Sequence, residues 1–316
     1  MPELPEVEIV RRGLEPVLSG QVIERLEQRR ADLRFPFPER FAERLEGRTI
    51  TSLSRRAKYL LMRFDSDDVL VMHLGMTGRF TASLASLGSD LLHRTARIKG
   101  KVDRKGSDPI PELLADFTYA TGGDPKHDHV VFRVAGGSTV TYNDPRRFGF
   151  MLLIPETEIE AHPLFANLGV EPLGNSLTAA YLAERAWGRK TDLKAFLMDQ
   201  RIVAGLGNIY VSEALHRAAL SPVRAAASLA KKSGAPGRRA EILVPVIRNV
   251  LQAALDAGGS TLKDYRQADG SKGGFQDRFA VYGRDGEACV RPGCKGIVRR
   301  SIQAGRATYH CPVCQR

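Results

Sequence analysis

The chain begins Met1-Pro2-Glu3-Leu4-Pro5-Glu6, and apolar residues follow this stretch at helical spacing. The pattern predicts a helix over residues 5–18, and Gly20 follows it as a stop signal. If Met1 is removed, the chain starts with a secondary amine beside a carboxylate. Because an α-amino group has a pKa near about 7.7–8.0, this amine is partly unprotonated at neutral pH and can act as a nucleophile. Taken alone, however, the stretch favours a simple proline-started helix with a charged first turn.

The composition favours a two-domain protein with a polyanionic partner. The chain has 316 residues, which is enough for two domains and a small appendage. Its formal net charge of +11 favours nucleic acid, although a merely basic surface would give the same value. No apolar run approaches the roughly 20 residues of a membrane helix, and the N-terminus has no signal pattern. We therefore expect a cytoplasmic protein with no membrane partner.

All four cysteines lie near the end of the sequence, at Cys289, Cys294, Cys311 and Cys314. They form a C-x4-C pair and a C-x2-C pair separated by sixteen residues. Two close pairs around a hairpin-length segment predict a zinc ribbon, in which four thiolates hold one structural zinc ion. Disulfide bonds are the weaker alternative, because an intracellular chain of this length does not need them.

Two segments suit phosphate binding. Arg55-Arg56-Ala57-Lys58-Tyr59 precedes a strand, and Lys58 is its best-placed cation if strand alternation turns the side chain inward. Ala204-Gly205-Leu206-Gly207-Asn208-Ile209-Tyr210 joins two predicted helices, and the N–H groups that open the second helix, with the Asn208 side chain, suit a phosphate. A solvated charge run and a plain glycine turn are the alternatives. Lys194, in the preceding helix, is equally ambiguous.

Two turns suit insertion into a stack of bases. Asn143-Asp144-Pro145-Arg146-Arg147-Phe148-Gly149 combines turn residues with arginines and an aromatic ring. An arginine beside an exposed aromatic ring can read a base edge and wedge between bases. His73-Leu74-Gly75-Met76-Thr77-Gly78 adds an apolar tip at Met76. The alternatives are a hairpin with a phenylalanine in the core and a core position for Met76.

Together, these segments resemble the formamidopyrimidine-DNA glycosylase family over nearly the whole chain. The motifs stand in family order: PELPEVE, RRAKYL, HLGMTG, NDPRRFG, GLGNIYVSEAL and GRATYHCPVCQ. The resemblance implies a multidomain α+β fold, with a β-sandwich flanked by helices, a helix-two-turns-helix domain and a four-cysteine zinc ribbon. We expect a catalytic β-sandwich domain at 2–154 with an insertion at 81–128, a linker at 155–172, a helical DNA-binding domain at 173–278 and a zinc finger at 279–316.

The activity that the resemblance implies is base-excision repair by a monomeric DNA glycosylase and AP lyase. The substrate would be double-stranded DNA that contains 8-oxoguanine, formamidopyrimidines or abasic sites. Pro2 would form a Schiff base with C1′ of the damaged nucleotide, and β- and δ-elimination would cut the strand. Glu3 resembles the general acid/base, and Glu6 resembles a carboxylate that supports the active site. Two alternatives remain. One is an endonuclease VIII-like preference for oxidised pyrimidines, which Leu4 disfavours because that branch typically has glycine at this position. The other is a non-catalytic damaged-DNA-binding protein.

The resemblance also assigns DNA contacts to individual residues. Four residues match positions that bind phosphates around the lesion: Lys58, Asn208, Tyr282 and Arg306. Lys58 is also counted with the catalytic residues. Lys194 matches another residue that lines the site. Met76, Arg146 and Phe148 match the wedge that fills the gap left by the everted base, and Arg146 would face the orphaned cytosine.

Three further segments bear on the fold and on DNA binding. Residues 258–274 resemble the flexible loop over the everted purine. The C-x4-C pair departs from the C-x2-C spacing that is common in the family, and two extra residues can be absorbed in that turn. The insertion at 81–128 adds basic residues, for which a solvated loop is favoured over an extended DNA contact.

Overall fold

A computed structural model describes residues 2–83, 123–260 and 273–316. These ranges contain six α-helices and ten β-strands. None of the helices in them is both long and apolar enough to cross a membrane. Most of the predicted insertion at 81–128, and most of the loop predicted at 258–274, lie outside the described residues. Strands extend into the predicted insertion at both of its ends, because one strand continues to Ser83 and the next described strand begins at Asp128.

The first half of the chain forms two antiparallel four-stranded sheets. Its elements are α1 (Leu4–Leu18), β1 (Ile23–Gln28), α2 (Phe41–Leu45), β2 (Ile50–Arg56), β3 (Tyr59–Phe64), β4 (Asp68–His73), β5 (Arg79–Ser83), β6 (Asp128–Val134), β7 (Thr139–Asn143) and β8 (Phe150–Pro155). One sheet has the order β1-β6-β7-β5, and the other has the order β2-β3-β4-β8. Residues from both sheets, among them Met62, Phe80 and Phe132, share one buried core with α1. This shared core confirms the predicted β-sandwich.

The second half of the chain is helical. Its helices are α3 (Ala179–Ala186), α4 (Leu193–Met198), α5 (Asn208–Arg217) and α6 (Arg238–Asp256). They enclose a second core of mainly aliphatic side chains. The apolar pattern of the sequence predicts a helix over 190–199. Its start is wrong, because the Asp192 side chain accepts the N–H of Ala195 (2.7 Å) and begins the helix at Leu193.

A two-stranded ribbon of β9 (Arg299–Gln303) and β10 (Arg306–His310) follows, and it packs against the helical half. Gln315 Nε2 donates to the carbonyl oxygen of Leu220 (2.9 Å), and the N–H of Arg316 donates to that of Ala219 (3.2 Å). These bonds fix the ribbon beside the end of α5.

The start of α1 connects the two halves. The N–H of Leu4 donates to the carbonyl oxygen of Gly205 (3.1 Å) in the turn between α4 and α5. Gly205 has φ +86°, and a Cβ atom there would lie 2.8 Å from Leu4 Cδ1, so a larger residue would force the two segments apart. The first residues of the chain are therefore held between the sandwich and the helices.

Candidate active site and cysteine cluster

Glu3 is buried at the start of α1 and faces the start of α5. Its carboxylate accepts the N–H groups of Ile209 (3.0 Å) and Tyr210 (3.5 Å). Burial raises the pKa of Glu3 from 4.5 to about 7, and the nearby positive charge of Lys58 limits the rise. A carboxyl group with this pKa is present in both protonation states near neutral pH, which suits a general acid/base.

Pro2 is buried directly before Glu3, so its nitrogen lies one residue from this carboxylate. Glu6 accepts the N–H of Glu3 (2.9 Å) and completes a capping box at the start of α1. Glu6 also accepts the hydroxyl of Tyr210 and both the N–H (2.9 Å) and the hydroxyl (2.8 Å) of Ser260. Glu6 thus joins the first turn of α1 to α5 and to Ser260.

Lys58 lies in the turn between β2 and β3 and is also buried. Burial lowers the pKa of Lys58, the negative charge of Glu3 opposes this, and the charge of Arg306 lowers the pKa further. The structure therefore brings a carboxyl and an amine together with their pKa values shifted toward each other, an arrangement that is frequent in catalytic sites.

Glu171, in the segment between the halves, holds the turn that carries Lys58. Its carboxylate accepts the N–H of Ala57 (2.6 Å) and the guanidinium groups of Arg55 (2.8 Å) and Arg56 (3.0 Å). Ala57 has φ +53°, a conformation that a non-glycine residue adopts rarely. No local pattern indicates this role, because Glu171 lies far from the basic motif along the chain.

Lys194 and Asn208 both reach the β10 backbone. Lys194 Nζ donates to Thr308 Oγ1 (2.6 Å) and to the carbonyl oxygen of Ala307 (2.8 Å). Asn208 Nδ2 donates to the same carbonyl oxygen (2.9 Å), while Asn208 Oδ1 is buried with no hydrogen-bond partner among the described residues. Burial lowers the pKa of Lys194 to about 8.

Tyr282 and Arg306 complete this side of the site. The Tyr282 hydroxyl lies 3.5 Å from Asn208 Nδ2, and its ring packs against the ring of Tyr309 with centroids 5.1 Å apart. Arg306 begins β10 and lines a small cleft with Lys194. The predicted phosphate-binding residues are therefore grouped where α4, α5 and the ribbon meet the start of α1.

The predicted wedge residues lie on two loops that touch. Met76 is 40% exposed and Phe148 is 43% exposed, so neither occupies the core position considered as an alternative. The Arg146 guanidinium carbon lies 4.6 Å from the centroid of the Phe148 ring. Gly75 has φ +61°, and a Cβ atom there would lie 2.3 Å from the Phe148 carbonyl carbon. The two loops thus form one exposed tip of apolar and cationic side chains.

The four cysteines form one cluster, with all four sulfur atoms within 4.8 Å of one another. Cys294 Sγ lies 3.6 Å from Cys311 Sγ, and Cys289 Sγ lies 3.8 Å from Cys314 Sγ. A disulfide bond requires about 2.05 Å between the sulfurs, so the thiols are free. Four convergent thiols could hold a metal ion.

Two residues in the GLGNIYVSEAL motif have roles that the sequence reasoning missed. Tyr210 bonds to Glu6, as described above. The carboxylate of Glu213 accepts three consecutive backbone N–H groups, those of Ala280 (2.9 Å), Val281 (3.0 Å) and Tyr282 (2.9 Å). Glu213 is fully buried on α5, and a carboxylate inside an apolar helical run was the available signal.

The fold and the site together define a class of protein, the helix-two-turns-helix DNA glycosylases. Its features here are the β-sandwich, the helical half with a glycine turn before α5, the thiol cluster, and the carboxyl group buried where the two halves meet. The family model described as "Formamidopyrimidine-DNA glycosylase N-terminal domain" matches residues 1–151. The model described as "Formamidopyrimidine-DNA glycosylase H2TH domain" matches residues 168–266. The chain therefore belongs to the formamidopyrimidine-DNA glycosylase family, and the resemblance seen in the sequence is confirmed.

Relatives and solved structures agree with this assignment. The formamidopyrimidine-DNA glycosylase of Azorhizobium caulinodans is 55% identical over 316 residues and covers 100% of both chains. The crystal structure of MutM (Fpg) from Thermus thermophilus is 37% identical, has a TM-score of 0.74 and covers 99% of this chain and 98% of that one. Lactococcus lactis Fpg in complex with DNA containing an abasic site is 31% identical, with a TM-score of 0.77 and 99% coverage of each chain.

Proposed function

We propose that this chain removes oxidised purines from duplex DNA and then cuts the DNA strand, as a bifunctional glycosylase and AP lyase of base-excision repair. The observation that carries the proposal is the buried Pro2–Glu3 pair, in which burial raises the pKa of Glu3 to about 7 and the positive charge of Lys58 limits the rise. The related Lactococcus lactis Fpg has been solved with DNA containing an abasic site, and a mutant of it with DNA containing Fapy-dG. These complexes support damaged duplex DNA as the substrate.

In the proposed reaction, Met1 is first removed and the Pro2 nitrogen becomes the nucleophile. It bonds to C1′ of the damaged nucleotide while the glycosidic bond breaks, the base leaves with the bonding electrons, and the proton on the Pro2 nitrogen passes to the departing base. Neutral Glu3 then donates a proton to O4′ as the sugar ring opens, which leaves an iminium ion between Pro2 and C1′. Removal of a C2′ proton expels the 3′ phosphate, and removal of a C4′ proton then expels the 5′ phosphate.

The proposed phosphate ligands are Lys58, Lys194, Asn208, Tyr282 and Arg306. Positive side chains and amide donors hold phosphates, and such contacts position the DNA without reading its sequence. Lys194 and Asn208 already bond to β10, so their side chains are held in place before DNA arrives. The proposed wedge is Met76, Arg146 and Phe148, whose exposed tip would fill the space of the everted nucleotide while Arg146 faces the orphaned base.

We propose zinc as the metal ion of the cysteine cluster. A tetrahedral site with Zn–S bonds of about 2.3 Å requires sulfur atoms about 3.8 Å apart. The two sulfur–sulfur distances of 3.6 and 3.8 Å fit that requirement. All four ligands would come from Cys289, Cys294, Cys311 and Cys314, so the ion would be structural and would hold the ribbon against α5.

The proposed organisation is the division at 2–154, 155–172, 173–278 and 279–316. The family models at 1–151 and 168–266 support boundaries near these positions. We also propose that the protein acts as a monomer on chromosomal DNA in the cytoplasm.

Borohydride trapping tests the reaction, because borohydride reduces an iminium ion to a stable amine. Wild-type protein with Met1 removed should form a covalent complex with a duplex that contains 8-oxoguanine opposite cytosine, and no complex with undamaged DNA. The double variant Pro2→Gly, Glu3→Gln should trap far less. Absence of a wild-type complex, or equal trapping by the double variant, would refute the mechanism.

A second comparison tests the lesion class. One structure of Lactococcus lactis Fpg contains DNA with an oxidised pyrimidine, which favours an endonuclease VIII-like activity as the second candidate. We expect faster excision from 8-oxoguanine:cytosine duplexes than from thymine glycol duplexes under single-turnover conditions. The reverse order would assign the chain to oxidised pyrimidines.

A further inference from the structure

A second basic cleft, with a volume of about 360 Å³, lies where α3 and α4 meet the segment before Gly169. Polar side chains from three segments line it: Asn167, Arg185, Arg189, Asp199 and Arg201. Three guanidinium groups therefore share this cleft with one carboxylate. None of these residues was assigned a function from the sequence.

Most of the positive charge in this arginine cleft is not neutralised. Asp199 accepts three hydrogen bonds from the Arg201 side chain (2.9, 3.2 and 2.8 Å), so this pair accounts for the single carboxylate. Arg185 and Arg189 form no ion pair with a carboxylate among the described residues. The lining side chains thus carry a net charge of about +2, which favours an anionic ligand.

Aromatic rings hold the two remaining arginines without neutralising them. The Arg185 guanidinium carbon lies 5.5 Å from the centroid of the Tyr181 ring, and that of Arg189 lies 5.9 Å from the centroid of the Phe196 ring. Stacking restricts the guanidinium group and leaves its N–H donors available. An ordered guanidinium loses less conformational entropy when it binds an anion.

The arginine cleft adjoins the candidate active site. Asp199 lines both this cleft and the smaller cleft that contains Lys194 and Arg306. Arg306 in turn is close enough to Lys58 for its charge to lower the pKa of that lysine. The arginine cleft therefore lies beside the cleft that contains Arg306, a proposed phosphate ligand.

We propose that the arginine cleft binds a backbone phosphate of duplex DNA outside the lesion site. The proposal rests on the proposed function, because it takes the ligand to be the same DNA. Guanidinium groups bind phosphate oxygens in pairs of parallel hydrogen bonds, a geometry that suits clustered arginines. Duplex DNA supplies phosphates at regular spacing beyond the everted nucleotide. Free phosphate carries the same chemistry, and the experiment separates the two sources.

The test compares two double variants that remove equal charge. Arg185→Ala with Arg189→Ala removes the two arginines of the cleft that have no carboxylate partner among the described residues. The control, Arg238→Ala with Arg239→Ala, removes two exposed arginines at the start of α6, outside both clefts. Binding to a duplex with a non-cleavable abasic-site analogue is measured over a series of salt concentrations. For the cleft variant we expect affinity to fall about three- to tenfold and the log–log salt slope to become shallower by about one, the change for one lost phosphate contact. The control variant should keep the wild-type slope.

The outcomes separate this inference from the proposed function. An unchanged slope in the cleft variant, or an equal change in the control, would overturn the cleft assignment even if wild-type protein excises 8-oxoguanine normally. Failure of the wild-type protein to excise any oxidised base would instead overturn the proposed function. Calorimetry with inorganic phosphate, and with a poly-glutamate peptide, completes the test. Binding of either that is lost in the cleft variant, together with an unchanged DNA slope, would assign the cleft to a small anion or an acidic protein and overturn the DNA assignment.

Discussion

Gly207 has no room for a side chain, and Glu3 is the reason. A Cβ atom at Gly207 would lie 2.3 Å from Glu3 Cδ, and the capping box fixes the Glu3 backbone. We expect Gly207→Ala to push the carboxylate off the N–H of Ile209. Because a positioned acid/base contributes about 10²- to 10⁴-fold, single-turnover excision should slow by at least about 100-fold.

The matched control for this prediction is Gly174→Ala. A Cβ atom at Gly174 would have its nearest neighbour at 3.4 Å, which is ordinary contact. Gly207 has φ −139°, so alanine is allowed there and the variant tests only the steric contact. Equal excision rates for Gly207→Ala and the wild type would show that the Glu3 carboxylate does not need this position.

The raised pKa of Glu3 makes the stability of the protein depend on pH. Below pH 4.5 the carboxyl group is neutral in the folded and unfolded states. Between 4.5 and about 7 only the unfolded chain loses the proton, so stability falls as the pH rises. The full shift corresponds to about 3 kcal/mol.

Glu3→Gln should remove this dependence, because glutamine stays neutral. In urea denaturation, we expect its free energy of unfolding to gain about 3 kcal/mol on the wild type between pH 4 and pH 8. A difference between the two proteins that does not vary with pH would contradict the raised pKa.

At the scale of elements, the β2–β3 turn depends on a residue from outside the sandwich. Glu171 accepts three donors there, and Glu171→Gln would leave Arg55 and Arg56 without their shared carboxylate. We expect a loss of about 1–3 kcal/mol in the free energy of unfolding, measured by chemical denaturation. Glu156→Gln is the control: it breaks the exposed pair with Arg63 and should cost less than about 1 kcal/mol. Equal losses would mean that Glu171 is an ordinary surface residue.

Elements with strong local signals were predicted well from the sequence. The sequence pattern predicts strands at Tyr59–Phe64 and Thr139–Asn143, because alternating or continuous apolar residues lie between flanking turns. Both strands have these bounds in the structure. The start of the helix at Leu193 was missed, because the Asp192 cap interrupts a run that otherwise favours helix. Local patterns therefore fix the type of an element better than its ends.

At the scale of the whole molecule, contacts between distant residues limited the prediction of the site. The cysteine cluster was predictable, because its four ligands stand in two short local pairs. The raised pKa of Glu3 was not, because it arises from burial of the carboxyl group where α1 meets the start of α5, about 200 residues further along the chain. Glu171 gave no signal at all, since its role exists only once the linker lies beside the β2–β3 turn.

The ribbon is expected to make DNA binding depend on the metal. Lys194 and Asn208 bond to β10 at Ala307, next to Arg306. The ribbon thus carries Arg306, a proposed phosphate ligand, against the helices, and the cysteine cluster lies in the same ribbon segment. Removal of zinc should unfold the ribbon, because thiol ligands without a metal supply little folding energy. The sandwich has its own core and should remain folded.

We therefore expect chelation to abolish binding to a duplex with an abasic-site analogue while most of the β-sheet signal in circular dichroism persists. Zinc content, measured on the same sample, confirms the loss of the ion, and re-addition of zinc controls for irreversible damage. Cys294→Ser should reproduce the chelated protein, because it removes one of the four thiolates. Full DNA binding after confirmed zinc loss would mean that Arg306 keeps its position without the metal, and that the four cysteines do not organise the phosphate site.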